Sequence, residues 1–159
     1  MSYRKTIYLV LPVLSTALTP VLARAGNLHL AIIPEVNLSA GKIADNTPLA
    51  RIHISGISKK CNLSIWDEMA ANETIPGQYT LMDKVTGKKA IEVKLTGENW
   101  QPDTARGKGV LKRIPGWNAD LDLVTNGSQY ISPKTISIQL TARCNATHLG
   151  HEEDYQAHN

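Results

Sequence analysis

Thr135-Ile136-Ser137-Ile138-Gln139-Leu140-Thr141-Ala142-Arg143-Cys144 alternates apolar or small residues with polar ones along its whole length. Successive side chains of an extended strand point to opposite faces. Ile136, Ile138, Leu140, Ala142 and Cys144 therefore share one buried face, and Thr135, Ser137, Gln139, Thr141 and Arg143 share the other. No comparable alternation follows. Residues 145–159 are polar, acidic at Glu152, Glu153 and Asp154, and carry His148, His151 and His158. The reading is that this strand is the last of the core and that 147–159 is a polar tail.

The same period of two runs back through the chain. Leu28, Leu30 and Ile32 alternate with Asn27, His29 and Ala31. Further runs hold Ala50, Ile52 and Ile54; Cys61, Leu63 and Ile65; Tyr79 and Leu81; Ile91, Val93 and Leu95; and Leu121 and Leu123. With the last strand this makes about seven short strands, the pattern of a β-sandwich. Val85-Thr86-Gly87-Lys88 is expected to form a hairpin tip. Asn126-Gly127 is expected to turn, and Ser132-Pro133 to restrict the chain ahead of the final strand. Only residues 67–74 hint at a helical turn.

At the other end, Arg4 and Lys5 precede an apolar run from Ile7 to Leu22, and Ala23-Arg24-Ala25 has the small-x-small form that a signal peptidase cuts. Pro12 and Pro20 interrupt the run, which is short for a membrane span. Residues 1–25 are therefore read as a secretory signal in preference to a retained anchor, with a single domain over 26–146. The leader holds three of the seventeen basic residues (Arg4, Lys5, Arg24) and none of the fourteen acids, so the remaining chain is formally neutral. That balance argues against a nucleic-acid partner, which calls for a basic excess. Export puts the two cysteines, Cys61 and Cys144, in an oxidising compartment. One disulfide is expected in preference to a metal site, because the pair lacks CxxC spacing.

An immunoglobulin sandwich ends on a strand G paired to strand F. The alternating stretches supply strands A to F, counting a split D, and then stop. A missing strand leaves an apolar groove and an unpaired edge, which a strand from another protein can fill. Leu28, Leu30 and Ile32 on the first strand and Ile136, Ile138 and Leu140 on the last are expected to line it. No catalytic constellation stands out, and no cofactor is expected. There is no nucleophile elbow and no phosphate loop, and Gly107-Lys108-Gly109 reads as a turn. His148, His151 and Glu152 could hold a metal, but a solvated tail is the preferred reading, which leaves a secreted enzyme remote. His29 and His53 fall on outward positions. Trp66 has the opposite parity to Cys61 and need not be the core tryptophan of antibody domains. Asn37, Asn62, Asn72, Asn126 and Asn145 open N-x-S/T triplets, which matter only where the host glycosylates.

Gly97-Glu98-Asn99-Trp100-Gln101-Pro102 followed by Gly107-Lys108-Gly109-Val110 resembles the G-x-x-W-x-P … G-K-G-V stretch of the Afa/Dr D-subunit invasins. Gly127-Ser128-Gln129-Tyr130-Ile131-Ser132-Pro133, running into the strand that ends at Cys144, is similar to that family's G-x-Q-x-I-x-P run and terminal cysteine. The opening Asn27-Leu28-His29-Leu30 is similar to its first strand. The chain departs from the family in its first cysteine, which the family places within the strand that here reads Arg51-Ile52-His53-Ile54, and in a longer tail. The resemblance implies an all-β, immunoglobulin-like β-sandwich lacking its last strand. It implies completion by a periplasmic pilus chaperone, assembly at an outer-membrane usher, and then a donor strand from a major pilin subunit. It further implies a non-enzymatic invasin or adhesin, exported through the periplasm to the bacterial surface, that contacts a host-cell receptor, integrins among them. Because the first strand starts beside the cleavage site, the subunit would accept a strand and offer none, which places it at a fibre tip. The competing expectation is a self-contained secreted sandwich or glycoprotein, closed by residues 145–159.

Overall fold

All seven alternating stretches form strands in the computed structural model, which describes residues 3–12, 21–25, 28–35, 38–58, 61–70, 73–113, 115–132 and 135–146. They are β3 (Leu28–Pro34), β5 (Pro48–Ser55), β6 (Cys61–Asp67), β7 (Gln78–Met82), β8 (Lys89–Thr96), β11 (Asn118–Thr125) and β13 (Thr135–Ala146). Four short strands join them: β4 (Gly41–Ile43), β9 (Gln101–Pro102), β10 (Val110–Lys112) and β12 (Gln129–Ile131). Pieces of two or three residues are too short to display a period, so the sequence passes over them. The N-terminal stretch adds β1 (Tyr3–Pro12) and β2 (Val21–Ala25). No helix occurs among the described residues.

Two sheets stack. One has the order β1-β13-β6-β10-β9 and the other β2-β3-β5-β11-β8-β7, and β12 and β4 pair at the side. The inward positions of both sheets meet in one core. Leu28, Leu30, Ile32, Ile52, Ile54, Leu63, Ile65, Val93, Leu121, Leu123, Ile138 and Leu140 are all at most 1% exposed. The seven stretches keep their parity because a one-residue slip would turn the apolar face to water.

Two expectations need correction. The helical turn hinted at over 67–74 is confined, among the described residues, to one turn at 67–70, in which Ala70 N–H donates to the Asp67 carbonyl (3.3 Å) and Met69 N–H to Asp67 Oδ1 (3.0 Å). The side chain offers the backbone a local acceptor and ends the turn there. In β6 the outward positions Ser64 and Trp66 are buried like the inward ones, so its alternation does not separate core from solvent. Trp66 nevertheless stays outside the inter-sheet core, as its parity implies.

The hairpin between β7 and β8 is tied at its tip by Asp83. Its Oδ1 accepts from Val85 N–H (3.2 Å) and its Oδ2 from Thr86 Oγ1 (2.8 Å), with Gly87 at φ +68°. His53 sits at the surface as expected, its Nδ1 2.6 Å from Asp120 Oδ1. Residues 147–159, with His148, His151 and Glu152, lie outside the described residues, as do Asn37 and Asn72.

Candidate functional site

The two halves of β13 are supported differently. From Leu140 to Ala146 it pairs antiparallel with β6, ending at Leu140↔Asp67. Beyond that point the β6 side offers single contacts. Glu68 N–H donates to the Gln139 carbonyl (2.8 Å), Gln139 N–H donates to Asp67 Oδ1 (3.3 Å), and Ile136 bridges to Asp83. Burial raises the Asp67 carboxyl above its ordinary value, and the amides of Met69 and Gln139 offset part of the rise. Tyr79 receives the Asp67 amide on its hydroxyl oxygen (3.1 Å), and burial likewise drives its phenol upward.

On its other side β13 is paired along nearly its whole length. β1 runs antiparallel to it from Tyr3↔Cys144 to Pro12↔Thr135. The residues in register with Leu140, Ile138 and Ile136 are Ile7, Leu9 and Leu11, all apolar. β2 meanwhile pairs with the outer edge of β3, from Val21↔Ile32 to Ala25↔Leu28. β1 also lies against β2 and β3, so it contacts strands of both sheets. The six residues expected to line a groove are all buried in the core. Leu28, Leu30 and Ile32 come from one sheet and Ile136, Ile138 and Leu140 from the other, and all belong to the same buried cluster. The register of β1 had no signal in the sequence beyond its apolar composition.

Cys61 and Cys144 are bonded, with Cα atoms 5.4 Å apart across 83 residues of chain. Cys61 opens β6, and Cys144 lies opposite Leu63 in the neighbouring strand. The bridge therefore joins adjacent strands of one sheet, unlike the inter-sheet bridge of antibody domains. It anchors the end of β13 remote from Ile136.

The opposite flank of the same sheet is closed by the turn over 103–109. The Trp66 ring lies under the Arg106 guanidinium (4.5 Å) and the Lys108 ammonium (4.9 Å), and its Nε1–H donates to Glu68 Oε2 (2.5 Å). Such cation–ring contacts favour a buried indole at a charged surface. Glu73 Oε2 accepts from both Gly109 N–H (2.7 Å) and Gly77 N–H (2.9 Å). Gly109 has φ +71°, and a Cβ there would stand 2.1 Å from the Ile65 carbonyl oxygen. Only glycine fits.

The remaining motif residues have similar reasons. A Cβ on Gly97 would meet Trp100 Cδ1 at 2.7 Å, while Trp100 Nε1–H donates to the Asp120 carbonyl (2.8 Å). The Gln129 amide accepts from Glu92 N–H (2.8 Å) and donates to the Glu92 carbonyl (2.9 Å), standing in for a ladder rung beside β8.

Residues 39–142, more than half of the chain, match the family model described as Enterobacteria AfaD invasin protein. Among curated proteins no sequence matches. Among solved structures, the Salmonella SafD adhesin is similar at 25% identity and a TM-score of 0.71, over 76% of this chain and 85% of that one. The minor tip subunit HdaB of the E. coli Hda pilus shares the fold at 16% identity and a TM-score of 0.69, over 78% and 87%. So does AggB, the minor subunit of E. coli aggregative adherence fimbriae type I, at 21% identity and 0.63, over 76% and 87%. The architecture is thus an immunoglobulin-like β-sandwich of the kind used by fimbrial subunits.

Proposed function

The chain belongs to the AfaD invasin family of enterobacteria, and from that premise we propose that it is a non-enzymatic tip subunit of a chaperone–usher surface fibre. It acts by binding. Residues 1–25 are a signal removed on export to the periplasm, 26–146 form the subunit domain, and 147–159 form a polar tail. The β13 edge receives a strand first from a periplasmic chaperone and then, at the outer-membrane usher, from a neighbouring pilin. On the bacterial surface the subunit contacts a host-cell receptor, integrins among the candidates.

One observation carries this reading. β13 takes an antiparallel strand of ten residues along its free edge, and Ile136, Ile138 and Leu140 of β13 share one buried core with Leu28, Leu30 and Ile32 of β3. Half of β13 has no continuous ladder on its other side, so the added strand supplies much of its backbone pairing. Edge addition of this kind gives affinity through main-chain hydrogen bonds and specificity through alternate side-chain positions.

The test is co-expression with a periplasmic pilus chaperone. The wild-type subunit should co-purify with the chaperone, and Ile138→Asp should not, because it places a carboxylate in an apolar seam. Equal recovery of chaperone with both proteins overturns the proposal.

A further inference from the structure

We propose that the cleft beside the end of β6 binds a lysine side chain of a partner protein, with the ammonium on Asp67 Oδ2 and the aliphatic stem against Met69 and Met82. The cleft lies on the β6 side of β13, so the inference goes beyond the strand-acceptor reading and stands whatever occupies the opposite edge.

β6 stops at Asp67, while the first half of β13 extends past it. The space this leaves is a cleft of about 570 Å³, bounded by the turn after β6, by β7 and by Ser137 of β13. A cleft of that volume is large enough to hold a side chain. Met69 and Met82 line it and stand 64% and 49% exposed. Unbranched thioether side chains at a surface adapt to an apolar stem laid against them.

Asp67 also lines the cleft and is 5% exposed. Its Oδ1 accepts from the amides of Met69 and Gln139. Its Oδ2 accepts no hydrogen bond from the described residues. A buried carboxylate oxygen without a donor is unfavourable, and the raised pKa of this group reflects that. The charges of Glu73 and Glu68 act on Asp67 with the same sign, so a cation is favoured there. Asp83, the second carboxylate on the lining, is already engaged, by the Val85 amide and the Thr86 hydroxyl.

One free oxygen selects lysine over arginine. A guanidinium pairs best through two parallel bonds to both carboxylate oxygens, and Oδ1 already serves two amides. A compact ammonium needs a single oxygen, and the hydroxyls of Thr80 and Ser137 on the lining can accept its other protons. A lysine buries its stem and keeps its charge at a polar end, which matches a cleft with methionines beside a carboxylate.

The test uses the protein recovered from the periplasm, alone or bound to a chaperone, with carbon-13 in its methionine methyl groups. Met69→Leu and Met82→Leu assign the two resonances. The probe is Nα-acetyl-lysine methylamide, compared with its norleucine and arginine counterparts. The lysine probe should shift both resonances saturably. The norleucine probe, which keeps an aliphatic stem without the charge, should bind about tenfold more weakly, and so should the lysine probe to Asp67→Asn. No saturable shift up to the solubility of the lysine probe overturns the inference, as does equal affinity for lysine and norleucine. Undiminished binding to Asp67→Asn overturns the role of Asp67, and equal binding of the arginine probe overturns the choice of lysine. If Asp67→Asn does not fold, the comparison of lysine with norleucine on the wild type decides.

Discussion

At one edge of the sheet that carries β13 stands β9, two residues long and ending in Pro102. At the other, β1 covers β13, twelve residues of unbroken strand. The first edge is short, carries a proline, and is capped by a turn whose Arg106 and Lys108 lie over Trp66. These are devices by which natural sheets resist edge pairing. β13 itself is neither short nor interrupted by proline. β13 is long and apolar on one face, and its first half lacks a continuous partner on the β6 side. One edge is blunted by a strand of two residues that ends in proline. The other is a long strand edge on which β1 pairs over ten register positions. Blunting one edge and leaving the other open gives the sheet a single direction in which to grow.

Substitutions can break that contrast. The largest effect should come from Ile138→Asp, which buries a charge at the centre of the open edge and should cost on the order of 4 kcal/mol. Chemical denaturation of the intact chain measures it, and a loss below a third of that figure would mean the seam is wetter than its burial indicates. Next is the double replacement Cys61→Ser with Cys144→Ser. Loss of a bridge across a long loop should cost about 3 kcal/mol, with the transition still cooperative. The bridge fastens only the far end of β13, so amide exchange should rise most near Cys144 and least near Ile136. Third is Gly109→Ala at the sealed edge. Its Cβ would collide with the Ile65 carbonyl at a positive φ, and the cost should be about 2–3 kcal/mol. This variant sharpens the comparison. It should lower stability while leaving strand uptake at β13 intact, whereas Ile138→Asp should damage both.

The two edges also differ in how far the sequence revealed them. Ile136, Ile138 and Leu140 are legible because a strand half-buried against a core must alternate, and the same holds for Leu28, Leu30 and Ile32. The sealed edge is not legible in that way. Trp66 and Ser64 are buried on what pattern alone makes the solvent face, because a turn some forty residues later folds over Trp66 and Asn145 of β13 reaches Ser64. Gly109 signals a turn in the sequence, but the need for glycine there comes from Ile65, a contact of long range. Gln129 reads as an ordinary polar residue until its amide is found replacing a backbone rung beside Glu92. The placement of residues 3–12 was hidden for a different reason. An apolar leader and an apolar strand share a composition, and the choice between them depends on whether an open edge is within reach.

The smallest and most diagnostic change is Asp67→Asn, at the point where the β6 ladder gives out. The amide retains an oxygen to accept from Met69 and Gln139 but carries no charge. Burial raises the folded-state pKa of this carboxyl above its unfolded value. The folded chain therefore holds the proton more tightly, and the group's unfavourable contribution is present at neutral pH and relieved as pH falls through the raised folded value. Asp67→Asn should match or exceed the wild type by up to about 1 kcal/mol at pH 7, and the difference should close below the ordinary carboxylate range. A difference that stays flat with pH would mean that Asp67 is solvated. Asp67→Ala removes the acceptor as well. If Asp67 is what steadies the half of β13 that otherwise depends on its replaceable neighbour, this variant should quicken amide exchange at 136–139 while leaving the sealed edge untouched.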